Sequence, residues 1–330
     1  MKVQELRDKI KGASKEDADK ILTELYKMLS KGRKEEADII IDSILAHENI
    51  NTTKTKQNKL DFNELKEEIE TFCANVDANY YYVPNRVVPK NKRAKWRFEV
   101  KNFVKQLDQV PLDSQDSLDA AKLMRSLYLR LCHGCGYYIF PSENPFRAVG
   151  IAQADFYNRV VSRNFALGCS DNKIKEALDD ATTVFMDRDT WHMELIWMFV
   201  NLLPTNEAKN KAITIAMDEV DVCEEKLSKE SKYSNRRYEL TDKIEKMCEV
   251  ILGVGISLGE SDDAIKYYFV HSKTDGKEIT LYKVLQGIDF FDGGDELWIE
   301  AYENAVNKRK IKPRNDLQEK YYKLKEGIDD

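Results

Sequence analysis

The sequence contains few of the residues that make tight turns, with only 14 glycines and 7 prolines among 330 residues. All-β sandwiches and barrels need a turn every few residues, and glycine and proline dominate such turns. This scarcity therefore argues against an all-β protein and favours long helices. Apolar residues make up 42% and charged residues 33%, a mixture typical of a hydrophobic core beneath a charged surface.

Long apolar stretches are also missing. No uninterrupted apolar run approaches the ~20 residues that a membrane-spanning helix needs. The first residues, MKVQELRDKIKG, have no apolar core of the kind found in secretory signals. The six cysteines are dispersed through a large chain, which is typical of reduced cytosolic thiols. We therefore expect a soluble cytoplasmic protein with no membrane contact.

Motifs of catalysis are scarce as well. Only four histidines are present, and no segment resembles a phosphate-binding loop, a G-x-S-x-G nucleophile elbow or an H-E-x-x-H zinc helix. Gly253, Gly255 and Gly259 have one residue too many for the G-x-G-x-x-G of dinucleotide sites, and a helical period precedes them. We expect these glycines to end that helix or to permit close packing. These absences argue against an enzyme without deciding the question, and no cofactor is predicted.

Helical periodicity, in contrast, extends over most of the sequence. Residues 1–48 are predicted to form an N-terminal helical hairpin, in which Ser14 resembles an N-cap. The polar, aperiodic residues 49–60 indicate a linker. Residues 61–330 carry many amphipathic segments joined by short links, which predicts one large all-helical domain. Only the short segments 137–140 and 277–280 look locally strand-like.

We therefore predict an all-α fold, with helical hairpins stacked irregularly or arranged as a multi-helix bundle. About a dozen helices with short connections resemble, in architecture, the helical repeats of tetratricopeptide and HEAT-like proteins. No consensus recurs at a fixed period, so the resemblance concerns architecture alone. Stacked helix pairs create extended surfaces that usually act by binding. The leading hypothesis is thus a cytoplasmic scaffold or adaptor that binds another macromolecule, with a protein partner favoured.

One basic segment, residues 86–105, interrupts the acidic character of the chain. The formal net charge of the protein is −6 whereas this segment carries +7, which leaves −13 for the other 310 residues. A helix is expected from about Asn91 to Leu107. Cations four residues apart form one stripe on such a helix and repel one another by ~0.2–0.5 kcal/mol per pair. The stripe consists of Arg93, Arg97, Lys101 and Lys105.

We predict that this segment and nearby aromatic residues bind an anionic partner, which is a nucleic acid, a nucleotide, another polyanion or an acidic protein surface. Aromatic rings can stack on unpaired bases or accept a cation. The alternative is that Glu67, Glu68 and Glu70 on the preceding helix neutralise the stripe internally. The candidate residues are Tyr81, Tyr82, Arg86, Lys90, Lys92, Arg93, Trp96, Arg97, Lys101 and Lys105.

Cys132 and Cys135 form a single C-x-x-C pair, which makes them weak candidates for a zinc site. Tetrahedral zinc requires four ligands, usually from two such pairs at set spacing, and no second pair is present. Completion of a site would need a distant ligand such as Cys169 or His192. The alternative is structural, with Cys132 packed inside a helix that stops at Gly134.

A third hypothesis is a metal-dependent enzyme centred on Asp187, Asp189 and His192. Two carboxylates and an imidazole can hold a metal ion or share acid–base chemistry. The alternative is a helix start, because acids near an N-cap complement the helix dipole. Trp191 and Trp197 mark the segment that follows as a packed helix.

Overall fold

The computed structural model is helical over almost all of the chain that it describes, namely residues 10–28, 34, 37, 38, 41 and 61–327. Fifteen helices can be delimited in these residues, which contain no strand, and helix accounts for 73% of the structure. The predicted all-α class is therefore confirmed. The chain divides into two compact units, residues 1–60 and residues 61–330.

Helix α1 (Lys15–Lys27) belongs to the first unit. The hydroxyl of Ser14 accepts a hydrogen bond from the backbone N–H of Asp17 at 3.1 Å, so Ser14 is the N-cap that the sequence indicates. The second helix of the predicted hairpin lies mostly outside the described residues, and the predicted linker, residues 49–60, lies entirely outside them.

The second unit consists, within its described residues, of fourteen helices joined by short connections. They are α2 (Phe62–Asp77), α3 (Lys90–Arg93), α4 (Trp96–Asp108), α5 (Ser117–Gly136), α6 (Pro145–Val149), α7 (Gln153–Ala166), α8 (Asp171–Thr182), α9 (His192–Leu202), α10 (Asn206–Ser228), α11 (Asn235–Leu258), α12 (Ser261–His271), α13 (Lys277–Phe290), α14 (Gly294–Asn307) and α15 (Asn315–Glu326). Many neighbours in sequence also pack against each other in space, most extensively α10 and α11. No helix of the described residues combines the length and apolarity needed to cross a bilayer.

The core of the second unit is organised around α11. Most helices bury one apolar face, as α2 does with Leu65, Ile69 and Phe72. In contrast, α11 is buried on all sides from Val250 to Gly255. Helices α9, α10, α12 and α13 all pack against it. A helical segment that is apolar on all sides must lie inside the protein, so this part of α11 is at the centre of the unit.

Glycines allow close approach to α11. Gly253 and Gly255 lie inside the helix, and a methyl group at Gly255 would lie 2.5 Å from the Cβ atom of Ala264 on α12. A methyl group at Gly253 would lie 2.5 Å from the ring of Phe291. Gly259 ends the helix in the left-handed conformation, with φ of 78°. Both roles predicted for these glycines, close packing and a helix end, are therefore confirmed.

The two segments that look strand-like in the sequence are not strands. Residues 277–280 form the first turn of α13. Residues 137–140 form an irregular loop between α5 and α6, in which Phe140 is buried against Trp96 with ring centroids 4.1 Å apart. Both predictions were wrong, and at 137–140 the burial of Phe140 against a distant helix overrides the local preference of aromatic residues for strands.

Candidate functional site

Residues 86–105 form two helices, whereas the sequence predicts one. Helices α3 and α4 are separated by a two-residue turn. Directly after this turn, Trp96 is buried in the core, where its ring stacks on that of Phe140. Burial of this large ring sets the start of α4. The predicted stripe of four cations is therefore interrupted after Arg93.

The outer face of α4 nevertheless carries three cations at successive turns. Arg97, Lys101 and Lys105 are exposed and four residues apart, which spaces them by about 6 Å along the helix axis. Phe98 lies beside them with 59% of its surface exposed, and the guanidinium of Arg97 lies 4.8 Å from the centre of its ring. This face thus combines positive charge with exposed aromatic surface.

None of the eight cations in residues 86–105 forms an ion pair with a carboxylate within the described part of the chain. The glutamates at 67, 68 and 70, which the sequence offers as internal counter-charges, make no ion pair with them either. Elsewhere in the unit cations are often paired, as Lys66 is with Asp119 at 2.6 Å. Glu99 partly offsets the charge of Lys92 and Lys95, and the charge of the other six cations is available to a partner.

Exposed apolar side chains also lie on the loop before α3 and on the loop between α5 and α6. The rings of Tyr82 and Tyr138 stack with their centroids 5.9 Å apart, and 48% and 72% of their surfaces are exposed. Val83 and Val87 are also exposed. Arg93 donates a hydrogen bond to the carbonyl of Val83 at 3.1 Å, which ties this loop to α3. We call these four residues, Phe98 and the eight cations of residues 86–105 the basic-aromatic surface.

Tyr81 and Trp96, which the sequence assigns to this surface, are both buried instead. The ring of Tyr81 lies 4.8 Å from that of Phe72, and its hydroxyl donates a hydrogen bond to Glu99 at 3.3 Å. Burial is the largest cause of the raised pKa values of both Tyr81 and Glu99. The two aromatic residues therefore support the surface from beneath.

An acidic cleft of about 890 Å³ adjoins the basic-aromatic surface, and sequence reasoning missed it. Three glutamates of α2 and Glu99 of α4 line the cleft, and Val87 and Lys92 belong to both the cleft and the surface. The period of α2 shows that its glutamates are exposed, but only the packing of α2 beside α4 brings them together with Glu99. The glutamates of α2 are Glu64, Glu67 and Glu68.

The structure places Cys132 and Cys135 one turn apart on α5 with separate partners. The thiol of Cys132 accepts a hydrogen bond from Gln153 at 3.3 Å, and that of Cys135 donates one to the carbonyl of Leu131 at 3.4 Å. Burial raises the pKa of Cys135 to about 12. Helix α5 continues two residues past Gly134, where the sequence indicates its end. Within the described residues, no three or more His, Cys, Asp or Glu side chains group as metal ligands would.

Asp187, Asp189 and His192 are directed to different partners. Asp187 accepts hydrogen bonds from two backbone N–H groups of the turn that follows it. Asp189 accepts hydrogen bonds at 2.7 and 2.8 Å from the guanidinium of Arg147. Nδ1 of His192 lies 3.1 Å from the carbonyl oxygen of Ala181. The three side chains therefore do not converge on one point.

Trp191 occupies a position that the sequence did not indicate. It is the N-cap residue of α9 and is 75% exposed, although the sequence assigns it to the packed helix. A residue at an N-cap lies outside the helical period, so periodicity says nothing about the direction of its side chain. Trp191 borders a second cleft, of about 470 Å³, which we call the Trp191 cleft.

The chain matches no known family model, and no curated protein or solved structure is similar to it at a significant level. Function therefore has to be inferred from the surfaces of the molecule itself. Exposed aromatic rings lie beside charged groups at the basic-aromatic surface and at the Trp191 cleft.

Proposed function

We propose that this protein is a helical scaffold that binds another protein through the basic-aromatic surface. The observation that supports this function is the set of eight cations in residues 86–105, none of which is ion-paired within the described residues, beside exposed aromatic rings. Like charges four residues apart on a helix repel each other by ~0.2–0.5 kcal/mol per pair. An anionic partner would convert this repulsion into attraction.

The partner that fits this surface presents an acidic segment with apolar side chains. Arginine and aromatic residues are enriched at the centres of protein interfaces, where they contribute much of the binding energy. Val83 and Val87 add exposed aliphatic surface. The neighbouring acidic cleft would repel a continuous polyanion, whereas a protein can place a basic side chain there.

Single-stranded nucleic acid is the second candidate, and the stacked pair of Tyr82 and Tyr138 favours it. Stacking of a base on an aromatic side chain contributes ~1–3 kcal/mol, and cations on α4 would contact the phosphates. The affinity for such a ligand falls linearly with the logarithm of the salt concentration. Absence of binding to a fluorescent oligo(dT) at low salt would remove this candidate.

A reducing compartment fits the cysteines. All six are free thiols, and four of them are buried. Burial raises the pKa of Cys73 to about 11, which keeps this thiol protonated at neutral pH. Because disulfides are rare in the cytosol, we propose that the protein works in the cytoplasm.

The decisive experiment compares capture of partners from the native cell extract by three forms of the protein. In the test variant, Arg97, Lys101 and Lys105 are replaced by Gln, which removes three charges from α4 without removing a buried contact. We expect the wild-type protein to capture a stoichiometric protein partner that survives nuclease treatment, and the variant to retain less than a tenth of it.

A matched control removes three exposed lysines elsewhere in the same unit, by Lys232→Gln, Lys308→Gln and Lys312→Gln. The control is expected to capture as much partner as the wild-type protein. Equal capture by all three forms would contradict the proposal. Recovery of nucleic acid in place of a protein would favour the second candidate.

A further inference from the structure

The Trp191 cleft lies where the start of α9 meets α11 and α13. Its walls include Trp191 and Tyr238, each with 75% of its surface exposed. In contrast, Trp96 and Trp298 are in the core. A large aromatic side chain that stays exposed to water does not gain the free energy of burial. Two such residues at one cleft therefore indicate a surface that a ligand covers.

Two ion pairs occupy the charged wall of the cleft. Lys246 contacts Asp242 at 2.7 Å, and Lys283 contacts Glu245 at 3.0 Å. Glu245 also accepts a hydrogen bond from the hydroxyl of Ser272 at 2.9 Å. Both lysines of the cleft are therefore already neutralised by carboxylates of the protein.

Glu249 is one turn beyond Glu245 on α11 and has no such partner. Within the described residues, no hydrogen bond or ion pair engages its carboxylate, and it lines the cleft. Burial is the largest cause of its raised pKa, which is about 7. Lys246 and Lys283 offset this cost only in part, because each is ion-paired with another carboxylate, so a ligand of positive charge would lower it further.

His192 adds no positive charge to the cleft at neutral pH. Because the carbonyl oxygen of Ala181 can only accept a hydrogen bond, Nδ1 of His192 is the donor at 3.1 Å. In the neutral ring Nε2 is then an acceptor. Burial lowers the pKa of His192 below its usual value. The unpaired groups of the cleft are thus acceptors and aromatic faces.

We propose that the Trp191 cleft binds an organic cation, whose ammonium or guanidinium group lies against Glu249 and whose carbon atoms lie against Trp191 and Tyr238. An aromatic face attracts a cation, and the attraction grows as the site excludes water. An anionic ligand fits less well, because Lys246 and Lys283 are already paired. A free small molecule and a lysine or arginine side chain of a peptide share this chemistry.

Calorimetric titration of the full-length protein at pH 8 tests the proposal. The probes are choline, butylammonium and butylguanidinium as free cations, and capped lysine and arginine tripeptides as peptide cations. We expect at least one probe to bind and the neutral isostere of choline, 3,3-dimethylbutan-1-ol, to bind at least tenfold more weakly. Tighter binding of a tripeptide than of the matching free cation identifies a peptide ligand, and the reverse identifies a small molecule.

Three variants identify the site. Trp191→Ala and Tyr238→Ala are expected to weaken binding about two- to thirtyfold each, because each removes one cation–π contact. Glu249→Gln is expected to weaken it at least tenfold. Matched controls are Tyr233→Ala, at a position with 91% exposure, and Glu239→Gln, at an exposed position on α11. Thermal unfolding of each variant establishes that it is folded.

The pH profile supplies a separate readout. If only ionised Glu249 binds the cation, the affinity of the wild-type protein rises about tenfold between pH 6 and pH 8, as follows from a pKa of about 7. The other charged or titratable groups that face Glu249 are Asp242, Glu245, Lys246, His192, Tyr268 and Lys283. Any one of four results would overturn the proposal. They are failure of every cationic probe to bind, equal binding of the neutral isostere, unchanged affinity of the three variants, and a flat pH profile.

Discussion

Side chains of the same type lie in opposite environments in this protein. Tyr81 is buried and hydrogen-bonded to Glu99, whereas the next residue, Tyr82, is exposed and stacks on Tyr138. On α4, the exposed Lys101 adds positive charge but forms no ion pair within the described residues. Such a residue is unfavourable for folding, so its effect on stability and its effect on binding are expected to have opposite signs.

Replacement of Lys101 by Gln is expected to stabilise the protein. Lys101 is four residues from both Arg97 and Lys105, so the change removes two repulsive pairs and raises the free energy of unfolding by about 0.4–1 kcal/mol. Urea denaturation at low salt measures the difference, which should shrink in 1 M NaCl because salt screens the repulsion.

The matched control is Lys229→Gln, since Lys229 has Glu225 as a counter-charge at 2.7 Å four residues away. The same substitution is expected to destabilise the protein there by about 0.2–0.5 kcal/mol. A loss of stability for Lys101→Gln would show that this cation has an internal partner after all.

At the scale of helices, the packing of α11 against its neighbours depends on residues without side chains. Gly255 faces Ala264 of α12, and Gly253 faces the ring of Phe291. Gly287 of α13 similarly accommodates Leu252, whose Cδ2 atom would lie 2.6 Å from an added methyl group. The close approach of the helices, more than any sequence motif, therefore explains the glycines in these positions.

Replacement of Gly255 by Ala is expected to destabilise the protein by about 1–3 kcal/mol, because the added methyl group overpacks the contact with Ala264. This loss exceeds the gain of up to ~1 kcal/mol from the higher helix propensity of alanine. Thermal or urea unfolding measures it. The compensating change Ala264→Gly, made in the same chain, is expected to recover part of the loss. If the Gly255→Ala protein is as stable as the wild type, the two helices can move apart freely and the expectation is wrong.

Charge is distributed unevenly over the whole molecule. The basic segment 86–105 carries +7 and the other residues together −13. Buried carboxylates contribute in a different way, because their ionisation is coupled to folding. Glu249 is the clearest case, since no hydrogen bond or ion pair within the described residues engages it and its pKa is raised to about 7.

Stability is expected to rise as the pH falls from 8 to 6. The folded protein binds a proton at Glu249 around pH 7, whereas the unfolded chain binds it only near the ordinary glutamate pKa of ~4.3. Protonation therefore stabilises the folded state by about 1.4 kcal/mol at pH 6 relative to pH 8. Thermal unfolding across this range measures the effect, and Glu249→Gln should reduce it to the contribution of other buried carboxyls such as Asp180, whose pKa burial raises to about 6. The lowered pKa of His192 has the opposite effect on stability below pH 6.5, because the unfolded chain then binds a proton at this residue more readily than the folded protein does. An unfolding midpoint that falls steadily from pH 8 to 6 would contradict this expectation.

Sequence and tertiary structure contributed different parts of this description. The scarcity of glycine and proline and the helical period determined the all-α class, and the count of lysines and arginines located the basic segment. These properties are local or additive along the chain, so they need no knowledge of which helices meet. The direction of individual side chains was decided only by packing, which depends on residues far apart in sequence. Trp96 is in the core because Phe140 lies over it, and Trp191 is exposed because it precedes the first turn of α9. The cleft around Glu249 exists because α9, α11 and α13 come together, and no period of any one helix contains that information.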